Sequence, residues 1–148
     1  MKFIADVMLG RLAKRMRLLG FDVVYHPDLD DNEIIRRSLA EDRIILTRDT
    51  ALAGRPLASH HLLITKDAVQ EQLNQVVGTL HITQLSRPLT RCSLCNELLK
   101  TMSKQEALDR VPPHVYESHT SFFQCSVCRK VYWRGSHVQR MALPQDDA

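Results

Sequence analysis

Lys2-Phe3-Ile4-Ala5-Asp6-Val7-Met8-Leu9-Gly10-Arg11-Leu12-Ala13-Lys14-Arg15-Met16-Arg17-Leu18-Leu19-Gly20-Phe21-Asp22-Val23-Val24-Tyr25 reads as strand, helix, strand. Lys2 to Ala5 suits a buried strand. Met8, Leu9, Leu12, Met16 and Leu19 recur at helical spacing until Gly20 offers a stop, and Phe21 to Tyr25 is β-like again. The alternation continues downstream. Asp30 or Asp31 can cap a helix with apolar positions Ile34, Ile35, Leu39 and Ala40, and Arg43-Ile44-Ile45-Leu46-Thr47 reads as a strand entering the core. Asp49 opens a short helix through Ala53 before Gly54, and His61 to Thr65 makes another strand. Asp67 starts a helix through Val77 that Gly78 ends, and a last strand is expected near Leu80 to Leu85. Strands and helices alternating at such short spacing call for an α/β fold: a mostly parallel sheet, helices on both faces, three layers. Functional groups in such sheets gather at the carboxyl ends of the strands. Asp6, the Asp30-Asp31 pair and Asp49 all occupy such positions.

The rhythm stops near Ser86-Arg87-Pro88, which divides the chain into an expected domain at 1–87, a second at 88–141 and a flexible tail at 142–148. In the second, Cys92-Ser93-Leu94-Cys95 and Cys125-Ser126-Val127-Cys128 form two Cys-x-x-Cys knuckles. Each can offer two thiolates to one tetrahedral zinc at about 2.3 Å, and four thiolates close the shell, so the ion is expected to be structural. It would fold a segment too short to build its own core. The competing readings are a pair of redox dithiols or an iron site. The interval between the knuckles is 29 residues, long for a ribbon, and the stretch from Ser103 to Tyr116 is expected to hold an inserted helix and an extended Pro112-Pro113 segment. His114, His119 and His137 are alternative ligands, although surface histidines of this kind are common.

The chain of 148 residues is 44% hydrophobic and 25% charged, as globular proteins are. No apolar run approaches the roughly 20 residues of a membrane span, and Asp6 interrupts the start before a signal peptide could form, so a cytoplasmic location is expected. Reduced cysteines, free to bind metal, follow from that location. The net charge of +3 is too small to argue for nucleic acid. Its distribution says more: no acid lies between Asp6 and Asp22, and Arg11, Lys14 and Arg15 share one side of a helix. That side is either a phosphate-binding patch or an ordinary solvated face.

Asp6 ends an otherwise apolar strand, where a carboxylate needs hydrogen bonds, a charge partner or a metal. Asp49 stands in the same relation to its own strand. If the strands are neighbours, Asp6, Asp49 and Asp31 can gather around Mg²⁺ or Mn²⁺, ions that hold a phosphate and activate water. Plain helix capping is the alternative for Asp30, Asp31 and Asp49, and for Asp6 too.

Together, Asp6 with Met8-Leu9-Gly10-Arg11-Leu12-Ala13-Lys14, Leu18-Leu19-Gly20, Leu46-Thr47-Arg48-Asp49, the four cysteines, Arg110-Val111-Pro112-Pro113 and Tyr132-Trp133-Arg134-Gly135-Ser136-His137 resemble the ribonuclease domain at the C-terminus of Mut-seven proteins. The resemblance runs from Lys2 to about Met141. It implies a PIN-like nuclease fold joined to a zinc ribbon, and a metal-dependent endoribonuclease whose acids bind Mg²⁺ or Mn²⁺. Asp6, Asp31 (or its neighbour Asp30) and Asp49 match three of the family's acids. The fourth acid of ordinary PIN nucleases has no counterpart at its motif position, although Glu33 or Asp67 can offer an oxygen.

RNA is the expected partner. Arg11, Lys14 and Arg15 can neutralise phosphates, joined by Arg48 and Arg134. Tyr132 and Trp133 offer stacking faces for unpaired bases, although Trp133 can equally cover the ribbon's own core. The alternatives are a non-catalytic RNA-binding or partner-binding module with a degenerate acidic site, and a toxin-like partner of an inhibitor protein, for which no binding segment is visible.

Overall fold

The computed structural model describes residues 1–83 and 89–135. β1 (Lys2–Ala5), a 3-10 turn at Val7–Leu9 and α1 (Gly10–Leu18) lead into β2 (Asp22–Val24). Then come α2 (Asp31–Glu41), β3 (Arg43–Thr47), α3 (Thr50–Ala53), β4 (His61–Leu63) and α4 (Val69–Thr79). The four strands form a parallel sheet in the order β2-β1-β3-β4. Strands buried on both faces need apolar residues at successive positions, which is why Phe3-Ile4-Ala5 and Ile44-Ile45-Leu46 do not alternate with polar ones. Phe3, Ala5, Ile44 and Leu46 pack with Leu12 and Met16 of α1 and with Leu73 and Val76 of α4. Ile4 and Ile45 turn the other way, onto Ile34 and Ile35 of α2 and Leu52 of α3. Each fully buried Phe, Leu, Ile, Val or Met among them contributes about 1.5–3 kcal/mol.

One open alternative is resolved and several expected details are corrected. Asp30 is the cap of α2, its Oδ1 accepting the Glu33 N–H at 2.8 Å, and Asp31 is the first helical residue. Leu39 is 58% exposed and Ala40 is exposed too. The inward stripe of α2 is Ile34, Ile35 and Ser38, one turn apart, and the Ser38 hydroxyl donates to the Arg43 carbonyl at 2.6 Å. That bond lets a polar residue occupy a core position. Met8 is 66% exposed, because the chain enters α1 through the 3-10 turn and rotates it outward. Gly78 lies inside α4, which ends at Thr79, and Leu80 to Thr83 form no strand. Leu80 and Ile82 pack against the core instead. Residues 84 and 85, the expected boundary at Ser86-Arg87-Pro88, His137 and the tail lie outside the described residues.

The second unit holds β5 (Lys100–Met102), α5 (Lys104–Ala107), α6 (Pro113–Ser118), β6 (Phe122–Gln124) and β7 (Val131–Trp133), with β5-β6-β7 antiparallel. The long interval therefore carries two short helices. Pro113 opens α6, where its missing N–H costs nothing and its φ suits a helix; only Pro112 is extended.

This unit docks on the β2 edge of the parallel sheet. Leu89 donates its N–H to the Leu18 carbonyl at 2.7 Å, and Leu18 packs with Leu89, Cys92, Cys125 and Tyr132. Asn96 caps the outer edge of β2: its Oδ1 accepts the Val23 N–H at 3.1 Å and its Nδ2 donates to the Asp22 carboxylate at 2.8 Å. Its φ of 63° is left-handed, a conformation that costs residues with a plain Cβ about 1 kcal/mol or more. Asn96→Ala and Asn96→Gly both lose the two bonds, but only alanine is strained. Thermal denaturation is expected to show both destabilised, alanine by about 1 kcal/mol more; equal losses would remove the strain argument.

Candidate functional site

The two knuckles share one geometry. Asn96 and Arg129, each following the second cysteine of its pair, have φ of 63° and 68°. Their N–H groups donate to Cys92 and Cys125 carbonyls at 3.0 Å in both cases, while Cys92 and Cys125 donate to Glu97 and Lys130 carbonyls at 2.8 and 3.0 Å. Val127 and Cys128 N–H groups point at Cys125 Sγ at 3.4 and 3.5 Å. All four Sγ atoms lie within 4.8 Å of one another. A zinc–sulfur bond of about 2.3 Å sets a tetrahedral edge of about 3.8 Å, and Cys92 Sγ to Cys128 Sγ measures 3.7 Å. The all-sulfur donor set suits zinc.

Electrostatics agree. Burial and the crowding sulfurs of Cys128 and Cys125 push the Cys95 thiol up to about 12. Burial also opposes ionisation of Cys92, but hydrogen bonds from the Tyr132 hydroxyl and the N–H groups of Cys95 and Leu94 outweigh it and bring the thiol to about 7. Crowded sulfurs that resist ionising together are relieved by a dication among them. The Tyr132 hydroxyl, 3.2 Å from Cys92 Sγ, also accepts the Ser93 N–H at 3.1 Å. Burial, with the Cys92 sulfur, drives its own pKa to about 12, so it stays a donor. His119 is not part of the cluster; its Nδ1 and Nε2 face the Val115 and Arg134 carbonyls.

At the carboxyl edge of the parallel sheet, Asp6 follows β1 and is 5% exposed. Its Oδ1 accepts the Met8 N–H at 2.9 Å; its Oδ2 accepts the Thr47 hydroxyl at 2.5 Å and the Arg48 N–H at 3.1 Å. The same Thr47 oxygen accepts the Asp49 N–H at 2.9 Å, so one hydroxyl ties Asp6 to the backbone of Asp49. Asp49 caps α3, its Oδ1 accepting from Ala51 and Leu52. Asp30 and Asp31 stand at the start of α2, after the edge strand β2. Among the described residues the four cysteines are the one group of three or more His, Cys, Asp or Glu side chains with ligand atoms within 4.8 Å of each other, so Asp6, Asp31 and Asp49 form no such cluster. Glu33 is held by Arg36 and Arg37 at 2.6 and 3.0 Å, which keep its carboxyl down at about 2. Asp67 pairs with Arg48 at 2.6 Å.

The basic side chains come together more closely. Arg11, Lys14, Arg15 and Trp133 line one cavity of about 600 Å³ between α1 and β7. Arg11 and Lys14 continue into a second, of about 500 Å³, which reaches Arg48 and Asp67 at the carboxyl edge. Arg134 lines neither. Lys130 is a member of the first cavity that sequence reasoning missed. It precedes β7, and its Nζ sits 5.2 Å from the centre of the Tyr132 ring; only the position next to Tyr132 and Trp133 could have flagged it.

A model of the Mut7-C RNAse domain family matches residues 1–143. This chain belongs to that family. No curated protein and no solved structure matches it. The Mut7-C assignment supports a ribonuclease-type function, and within this Mut7-C domain no helix among the described residues is long and apolar enough to cross a membrane.

Proposed function

We propose that the chain is a Mg²⁺- or Mn²⁺-dependent endoribonuclease of PIN-like architecture, with Asp6 and Asp49 at its centre, Asp31 or Asp30 at its margin, and a structural zinc ribbon that aids RNA binding. The observation that carries this reading is the continuity of the basic cavities with the carboxyl edge: Arg11 and Lys14 belong to both cavities, and the second ends at Arg48, the neighbour of Asp49. A phosphodiester laid on these cations would pass Val7 and Arg48, the chain neighbours of the two acids. Mg²⁺ commonly takes only one or two carboxylates, filling the rest of its shell with water and substrate phosphate, so a three-acid cluster is not required. Among the described residues Asp49 Oδ2 has no hydrogen-bond partner, and Asp6 accepts three bonds where a carboxylate has about four lone-pair sites. A bound divalent ion would supply charge neutralisation and a more acidic water. The chain's own part is to orient: Thr47 and the Arg48 N–H fix Asp6, the α3 N–H groups fix Asp49, and Arg11, Lys14 and Arg48 hold phosphates.

Manganese-stimulated cleavage of single-stranded RNA by the purified protein is expected, with Asp6→Asn and Asp49→Asn each lowering the rate about 100-fold or more while the fold, read by circular dichroism, persists. Unchanged rates in both variants would remove the site. A second reading, an RNA-binding module without turnover, is favoured by the three donors that already occupy Asp6. Binding without cleavage, indifferent to Mn²⁺, would select it.

A further inference from the structure

The cavity between α1 and β7 has a composition that phosphate binding alone does not require. Four cations, Arg11, Lys14, Arg15 and Lys130, share it with Leu18, Val69, Tyr132 and Trp133, and among the described residues its lining contains no acid. A flat phosphate track would need only the cations. An apolar floor under a cationic rim, in a volume within the range of small-molecule sites, is complementary to a flat, uncharged aromatic ring flanked by negatively charged groups.

We propose that this cavity is a nucleobase pocket that takes one unpaired base of an RNA strand, with the flanking phosphates on Arg15 and Lys130. The proposal deepens the nuclease reading, because the same Arg11 and Lys14 lead from the pocket to the carboxyl edge; the base would then set where along the strand the acids meet a phosphate. Duplex RNA is excluded by the need to insert a free base. Both units build the pocket. α1 contributes one wall, and Ser93, Lys130 and Trp133 hang on the two cysteine knuckles and β7. Lys130 is held near the Tyr132 ring, and Arg15 donates to Gln70 at 3.0 Å, so the rim cations are positioned before any ligand arrives. Zinc binding and base binding are therefore linked: loss of the metal would dismantle one wall.

The chain has one tryptophan, so its fluorescence reports on this pocket alone. Zinc-loaded full-length protein is titrated with a hexauridylate in the absence of added Mg²⁺ or Mn²⁺, so that binding is read without cleavage. Saturable quenching is expected. Lys130→Ala and Arg15→Ala should each weaken binding and lower the slope of log affinity against log salt by about 0.7, one single-strand phosphate contact each. Trp133→Ala, followed by anisotropy of a labelled hexamer, should bind about 5- to 150-fold more weakly; because Trp133 also packs on the second unit's core, the two cation variants carry the test if it fails to fold. Equal quenching by a duplex of the same length would overturn the proposal. So would equal affinity for free uridine monophosphate, or binding unaltered in both cation variants. A catalytically silent protein that still passes these tests would sink only the nuclease reading.

Discussion

Removal of zinc is expected to unfold residues 89–135 and to lower the melting temperature of the whole chain. The three strands β5, β6 and β7 contain three residues each, and the apolar cluster beneath them is small: Met102, Ala107, Val111, Val115 and Phe122. A core of that size cannot offset the conformational entropy of some 45 residues at about 1–2 kcal/mol each. Structural zinc in comparable sites contributes about 10–16 kcal/mol, as much as the entire stability of a typical domain. Cys125→Ser removes a fully buried ligand. It should abolish stoichiometric zinc by elemental analysis, lose the near-ultraviolet signal of Trp133 and Tyr132, and melt earlier. A metal-free protein that melts at the same temperature as the loaded one would contradict the structural role.

Arg17→Met is expected to destabilise the chain by about 3 kcal/mol and to weaken zinc binding about 10-fold or more. Although it lies in the basic window beside Arg11 and Lys14, Arg17 is 5% exposed. Its Nε donates to the Val23 carbonyl and its Nη1 to the Ser93 carbonyl, both at 2.9 Å, with longer bonds to Leu94 and Tyr25. Removing the guanidinium leaves two buried carbonyls without partners at about 1–3 kcal/mol each. Charge adds to the effect. Zinc with four thiolates carries a net charge of −2, and the Arg17 guanidinium sits beside Cys92 and Cys95; burial lowers its pKa while those sulfurs raise it. Arg17→Lys restores the charge without the planar fork, so it should recover part of the metal affinity and little of the stability. Arg11→Met, on the exposed side of the same helix, is the comparison and should change stability by no more than about 0.5 kcal/mol. Equal effects of the two substitutions, followed by chemical denaturation and chelator competition, would dismiss the clamp.

The contrast between these arginines marks what a sequence can carry. The β1-α1-β2 opening was legible because its apolar residues must face a core whatever the tertiary details. The cysteine knuckles were legible because metal geometry constrains spacing locally. Arg17 was not: a cation reads as surface until the carbonyls that receive it are known, and these come from residues 23 and 93, far apart in the chain. Ser38 took the core position expected of Leu39 for the same reason, since the Arg43 carbonyl that satisfies the serine lies beyond the helix. Gly78 looked like a stop, but glycine is only a weak helix breaker when tertiary packing holds the turn on both sides. At the candidate site the positions of Asp6 and Asp49 on adjacent strands could be anticipated from the βα order. Their link through Thr47 could not, because a hydroxyl in a strand gives no hint of which neighbour it will serve. Lys130 had only its nearness to Tyr132 and Trp133 to mark it until the fold set β7 against α1.

The side-chain amide of Asn96 occupies the hydrogen-bonding position beside β2 that another strand would otherwise take. Were the knuckle to let go, the Val23 amide of that outer strand would lose its cover and could pair with an extended segment nearby. Loss of a bound metal would in that case leave an open pairing position on the sheet, not merely a looser second unit.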